Sequence, residues 1–311
     1  MFLKFKGALL IFSLTMCTLV SCVEDERNPF ENADGPETGE VFDVKLPGMG
    51  DFYVGTEIEL RGNGFTAGDE IYVTNVDNSS LQAQARVISY TADKLFFIMP
   101  GGVVEYGGNV EVSLVRNGEW HTLGTLYVNN FGFNNMGFDS TGGEYIEING
   151  EYADGDKAYY QDMDDYGQLL GKPVEIDLEL QNYGDAYSDI VITSVFYPLT
   201  NQYTFVYEHN GETAIEQQMG NVNPIWPNQY TTSVGKTVFV EWRGFKAGDK
   251  VLISPDGGGI ENAVATIDNP IIEEGGLAFE VPDIPEMQYE ILLQRYEGHA
   301  TIIGYLNVYN Y

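Results

Sequence analysis

The chain has 311 residues and carries 15 Lys+Arg against 47 Asp+Glu, a formal charge of −32. A field of that sign repels phosphate backbones and anionic bilayer surfaces, which excludes nucleic acid and anionic membrane as partners. Both cysteines, Cys17 and Cys22, stand at the N-terminal end, so the remaining chain has no thiol for a disulfide, a zinc site or nucleophilic catalysis.

In chain order, the first segment is a leader. Lys4 and Lys6 form a short positive region, and Ala8 to Met16 is an apolar run too short to span a bilayer. Leu19-Val20-Ser21-Cys22 then resembles a bacterial lipobox, with a small residue just before the Cys. The resemblance implies loss of residues 1–21 as a signal peptide and acylation of Cys22. Several acyl chains on one Cys anchor firmly, at about 0.8 kcal/mol per buried CH₂. The acidic run Val23-Glu24-Asp25-Glu26 resembles the surface-export signal of Bacteroidota-type lipoproteins, which implies an outer-membrane, lipid-anchored, cell-surface location. Residues 22–43, rich in Asp, Glu, Gly and Pro, read as a flexible acidic tether.

Beyond the tether the chain repeats itself. Residues 55–73, 143–160 and 235–253 share an alternating apolar strand, an aromatic, a Gly-Asp pair and a second strand. The pairs are Gly68-Asp69, Gly155-Asp156 and Gly248-Asp249, 87 and 93 residues apart, with Phe65, Tyr152 and Phe245 three before each Gly. Downstream, Leu95 to Pro100 corresponds to Leu277 to Pro282, with Ile190-Val191-Ile192 in that place in the middle copy. Each copy then reaches a hairpin, at Asn117-Gly118, Asn210-Gly211 and Glu297-Gly298. Units of this size, with strands of period two and no sustained helical periodicity, predict an all-β chain of three tandem immunoglobulin-like β-sandwiches at 44–129, 130–222 and 223–311. Ile58, Leu60, Ile146, Ile148, Val238 and Val240 are the expected core positions. The Gly-Asp pairs read as tight turns, with Gly supplying positive φ and Asp bonding nearby backbone.

Gly55, Ile58, Leu60, Gly62, Gly64 and Phe65 resemble the opening of an IPT/TIG domain, an immunoglobulin-like fold. Gly235, Val238, Val240, Gly244 and Phe245 resemble it again, with Trp242 in place of the first Gly. The middle copy keeps Ile146, Ile148, Gly150 and Tyr152. Such domains serve as spacers, adhesive modules and binding modules alike, so the resemblance implies the fold and leaves the function open.

No catalytic constellation is legible. His121, His209 and His299 each fall at the last hairpin of their repeat and read as surface residues. Gly257-Gly258-Gly259 lacks the following helix of a phosphate loop. Asp162, Asp164 and Asp165 read as a hydrated acidic loop, with calcium as the rival, and no metal or cofactor is assigned. We therefore expect no enzyme.

The aromatic surplus, 21 Tyr, 17 Phe and 3 Trp, is the remaining feature. Trp242 keeps period with Val238 and Val240 and is expected in the core. Trp120, just after the Asn117-Gly118 turn, is expected to be part-exposed. Trp226 lies between prolines in Asn223-Pro224-Ile225-Trp226-Pro227-Asn228, either as filler between domains or as a stacking platform. Trp226, Tyr230, Asn228 and Trp120 are the ligand-binding candidates, because flat amphipathic rings beside amides suit sugars. The linker from Asn129 to Asn135 offers a similar mixture. Lipid anchor, acidic tether and tandem domains together resemble the surface glycan-binding accessory lipoproteins of uptake systems. That implies polysaccharide or oligosaccharide as ligand and an outer-membrane transporter or surface protein as partner. The other expectation is a structural or adhesive stalk, whose mark would be an uncovered C-terminal edge strand over 302–311.

Overall fold

The computed structural model describes residues 42–309 apart from 49, 106, 130, 141, 182–189 and 222–224. The leader, Cys22 and the tether up to residue 41 lie outside the described residues, as do Asn130 and Asn223.

The described residues up to 129 form β1 Phe42–Lys45, β2 Phe52–Tyr53, β3 Glu57–Asn63, β4 Glu70–Asn75, β5 Gln82–Tyr90, β6 Lys94–Ile98, β7 Gly108–Arg116 and β8 Glu119–Asn129. Their order is β1-β3-β6-β5-β4-β7-β8-β2. The first half of β5 pairs with β4 and the second half with β6, with a register shift between Val87 and Ser89. A bulge of this kind bends a strand from one layer into the other, which folds one continuous sheet into a sandwich. β1 begins at Phe42, so pairing starts inside the segment expected to be tether.

The middle unit has β9 Gly132–Phe138, β10 Glu144–Asn149, β11 Lys157–Met163, β12 Val174–Ile176, β13 Leu178–Gln181, β14 Ile190–Thr193, β15 Gln202–His209 and β16 Glu212–Gly220. They make two layers, β13-β14-β10-β9 and β12-β11-β15-β16. The linker expected before this unit is strand β9, and Phe131 ahead of it is buried.

The last unit has β17 Asn228–Thr232, β18 Thr237–Glu241, β19 Lys250–Pro255, β20 Ala265–Ile267, β21 Ile271–Glu273, β22 Gly276–Glu280, β23 Gln288–Tyr296 and β24 His299–Val308. Its layers are β17-β24-β23-β19-β20 and β18-β22-β21. A single 3-10 turn at Ile260–Asn262 follows the triple glycine. β24 is flanked by β17 and β23, so the C-terminal strand is not an uncovered edge.

The chain is thus a set of tandem β-sandwiches. Ile58, Leu60, Ile146, Ile148, Val238 and Val240 are all buried, because period-two alternation turns every second side chain inward. Each contributes about 1.5–3 kcal/mol by leaving water. Buried residues form three clusters, one per unit, and Leu199 of the middle unit joins the last cluster. Asn117 (φ 52) with Gly118 (φ 81), and Asn210 (φ 51) with Gly211 (φ 81), form hairpin turns with two positive φ angles. Gly155 and Gly248 also take positive φ, whereas Gly68 does not and closes the same turn without it.

Candidate functional site

The candidate site is assembled where the middle and last units meet. Asp162 on β11 is buried and accepts from the Leu199 N–H (2.9 Å), from Thr200 Oγ1 (3.2 Å) and from the Tyr296 hydroxyl of β23 (2.7 Å). Burial raises the Tyr296 hydroxyl pKa, and the Asp162 charge and hydrogen bond raise it further, so the phenol stays a donor. Asp164 Oδ1 takes the N–H groups of Tyr166 (2.9 Å) and Gln168 (2.7 Å). The acidic loop is therefore a built turn whose first carboxylate ties two sandwiches together. Among the described residues no three His, Cys, Asp or Glu side chains converge as metal ligands would.

Beside this tie lies a crevice of about 360 Å³. Asp164, Asp165, Thr200 and Asn201 line one wall, and Ile225, Tyr296, His299 and Thr301 the other. Its polar groups are carboxylate, hydroxyl, amide and imidazole, and among the described residues no Lys or Arg lines it. His299 was expected on the surface but is half-buried in this wall.

Trp226 immediately follows Ile225 and is 75 % exposed, so it does not fill the space between domains. Trp242 takes that place instead. β18 ends at Glu241, and the half-buried Trp242 ring packs edge-on against Phe245 (5.0 Å) and against Tyr197 of the middle unit (6.2 Å). The Arg295 guanidinium lies 5.8 Å from its ring centre. Lys246 Nζ donates to the Tyr160 hydroxyl (2.9 Å) across the same junction. Burial holds the Lys246 pKa below its ordinary value, and the Arg295 charge lowers it further.

Asn228 and Tyr230 lie on β17, an edge strand paired in parallel with β24. Asn228 is exposed, while Tyr230 is half-buried against the last core, its ring resting where a Cβ on Gly304 would stand. Burial raises the Tyr230 pKa, with the hydrogen bond to the Asn228 side chain acting the other way. The structure thus sets Asn228 and Tyr230 on the edge strand of the last sandwich, with Trp226 two residues before its start. Trp120 stands apart, on β8 of the first sandwich, 53 % exposed with its ring 4.8 Å from Tyr72.

His209 is a correction. It is 2 % exposed, not a surface residue. Its Nδ1 is 2.8 Å from Asp156 Oδ2, and its ring packs 5.3 Å from Phe131 at the junction of the first two units. The hollow beside that junction, about 750 Å³, is lined by Phe131, Phe133, Glu105 and Glu216 among others, and none of its lining residues is an exposed ring.

Sequence reasoning missed Thr200, Asn201 and Thr301 in the crevice, because isolated hydroxyls and amides carry no pattern. Tyr72 was legible: Ile71 and Val73 are apolar neighbours in period two, which turns Tyr72 outward.

No protein-family model and no curated protein sequence matches the chain. Among solved structures, an I-band fragment of titin is matched over 88 % of this chain and 100 % of its own, at 10 % identity and a TM-score of 0.20. The SGBP-B protein of the Bacteroides ovatus mixed-linkage glucan utilization locus, in complex with a mixed-linkage heptasaccharide, is matched over 86 % of this chain and 71 % of its own. Its identity is 9 % and its TM-score 0.24. Scores this low leave the site to its own geometry.

Proposed function

We propose that this chain is a non-catalytic carbohydrate-binding lipoprotein of the cell surface, anchored through Cys22 and accessory to a glycan uptake system. The observation that carries the reading is Trp226. An indole 75 % in water is an unspent apolar face, and it directly follows Ile225, which lines the polar crevice. Sugars present apolar CH faces ringed by hydroxyls, so one ring can stack while Asn228, Thr200, Asn201 and Asp164 meet the hydroxyls. The negative field and the absence of a crevice cation favour an uncharged glycan.

Affinity electrophoresis of Trp226→Ala against a panel of polysaccharides tests this. Loss of a stacked ring weakens binding by roughly 1–3 kcal/mol, on the scale of base–aromatic stacking. The exposed side chain makes little stability difference, within about 0.5 kcal/mol. Unchanged binding with a large drop in melting temperature would overturn the stacking role. Mass spectrometry of the mature N-terminus checks the anchor: a free amine on any residue other than Cys22 refutes it.

A stalk reading draws on the edge strand β21, where Ile271 is 63 % and Ile272 41 % exposed. A wild-type protein that binds no polysaccharide but captures a surface protein through β21 would favour it.

A further inference from the structure

The first sandwich carries a feature that the crevice does not use. On β4, Ile71 and Val73 are fully buried, so Tyr72 and Thr74 turn outward. On β8 the outward positions include Trp120, Thr122, Thr125 and Tyr127, with Trp120 and Tyr127 each 53 % exposed. The strand register sets these side chains in rows. Gln84, Tyr72, the covered Ser113 (3 % exposed) and Thr122 lie side by side across β5, β4, β7 and β8, and Gln82, Thr74, Glu111 and Thr125 form the next row. The Tyr72 and Trp120 rings meet at 4.8 Å and 45° at one end. Tyr127 stands seven residues along the same strand, about 20 Å away at a rise of roughly 3.3 Å per residue with one bulge.

We propose that this outer face is a second carbohydrate-binding surface, one that takes an extended uncharged polysaccharide. It rests on the reading above only for the class of ligand. Rings at both ends, with the Thr122 and Thr125 hydroxyls and the Gln82 and Gln84 amides near them, match a ribbon of pyranoses whose CH faces stack and whose hydroxyls bond sideways. The face is a pleated sheet surface, so it suits a chain lying along it rather than a small molecule enclosed. Charge narrows the occupant: the two rows hold one carboxylate, Glu111, and no Lys or Arg, Glu70 stands beside Tyr72, and the chain is net −32, so an acidic glycan meets repulsion and a neutral one does not. With the crevice, the chain would then hold one polymer at two points, which raises avidity without any new contact.

The test uses the full chain in native gels containing a soluble glucan, a galactomannan, a xyloglucan or polygalacturonate. Trp120→Ala and Tyr127→Ala should each weaken binding of the retarding neutral polymer by roughly tenfold. Trp120→Phe should keep most of it, and polygalacturonate should not retard the protein. Wild-type binding by both alanine variants would overturn the face. So would preferred retardation by polygalacturonate, or a concentration-dependent dimer that Trp120→Ala abolishes, which would make the face a contact between copies. Loss of binding in Trp226→Ala alone refutes this surface and leaves the crevice standing. Loss in Trp120→Ala and Tyr127→Ala alone does the reverse, and a wild type that binds no polymer refutes both.

Discussion

Trp242 and Trp226 lie 16 residues apart, and one ring is packed while the other stands in water. Trp242 follows Val238 and Val240 in period and packs against the last core, and just past the end of β18 its half-buried ring also meets Tyr197 of the middle unit. Trp226, flanked by proline, has no partner strand to cover it and stays in water. Period predicts an inward side chain only while the strand lasts. His209 shows a related limit, since Asp156 and Phe131 of its own unit and the Gly55 backbone of the first enclose it. Its partner Asp156 gives a pH signature. Burial alone would raise the Asp156 pKa, but hydrogen bonds from His209, the Ala153 N–H, Tyr207 and the Asn210 N–H hold it below the ordinary 3.8. A carboxyl depressed in the folded state contributes stability that is complete above its unfolded pKa and is lost as pH falls through the folded one. Thermal melts should therefore show stability falling as the pH drops below the ordinary carboxylate value of 3.8. Asp156→Asn should be less stable at neutral pH and have a flatter slope in that window. An equal slope in both proteins would show that other carboxyls dominate.

At the scale of elements, the repeated Gly-Asp turn proves to be half of a lock. Asp69 takes Nε and Nη2 of Arg116 at 2.6 Å each, and Asp249 takes the same pair from Arg295 at 2.8 Å. Asp156 meets His209 in the equivalent place. In all three units the partner lies at the register position opposite the Asp, one step beyond the pairs Glu70 with Val115, Lys157 with Glu208, and Lys250 with Gln294. Each Asp also caps its own turn, accepting from Thr66, Ala153 or Lys246 N–H. One carboxylate thus closes a turn and pins it to the neighbouring strand. The Arg295–Asp249 pair is nearly dry, with side chains 9 % and 1 % exposed. Arg295→Met strands a buried carboxylate and should destabilise by about 3–5 kcal/mol in urea unfolding. Adding Asp249→Asn should recover part of that loss. A single substitution costing under about 1 kcal/mol would show the pair to be worth no more than a surface one.

At the scale of the whole molecule, side chains join the sandwiches. Between the first two, Thr56 Oγ1 donates to Glu151 (2.9 Å), Arg86 Nη2 to the Asn210 carbonyl (2.8 Å) and Asn210 Nδ2 to the Gly55 carbonyl (3.0 Å). The backbones approach so closely that a Cβ on Gly101 would stand 2.6 Å from the Thr213 carbonyl oxygen. Gly101 is outside the three core clusters, so a larger side chain there should part the domains without unfolding them. Gly101→Leu is expected to raise the maximum dimension seen by small-angle X-ray scattering and to separate the melting of the first unit from the rest. A scattering curve identical to wild type would show that the junction does not hold the domains together.

The sequence alone determined the strand content, the core positions and the turn residues, because alternation and positive-φ turns are local consequences of side-chain chemistry. It also contained the lock, since Arg116 and His209 directly precede the Asn-Gly turns, although only pairing register shows that they face the aspartates. Tertiary structure decided the rest: that Asp162 ties two domains, that His209 is buried, that Trp226 is bare, and that Tyr72, Trp120 and Tyr127 share one face. Those facts depend on which strands pair and which surfaces of separate units touch, and no period within a single strand encodes either one.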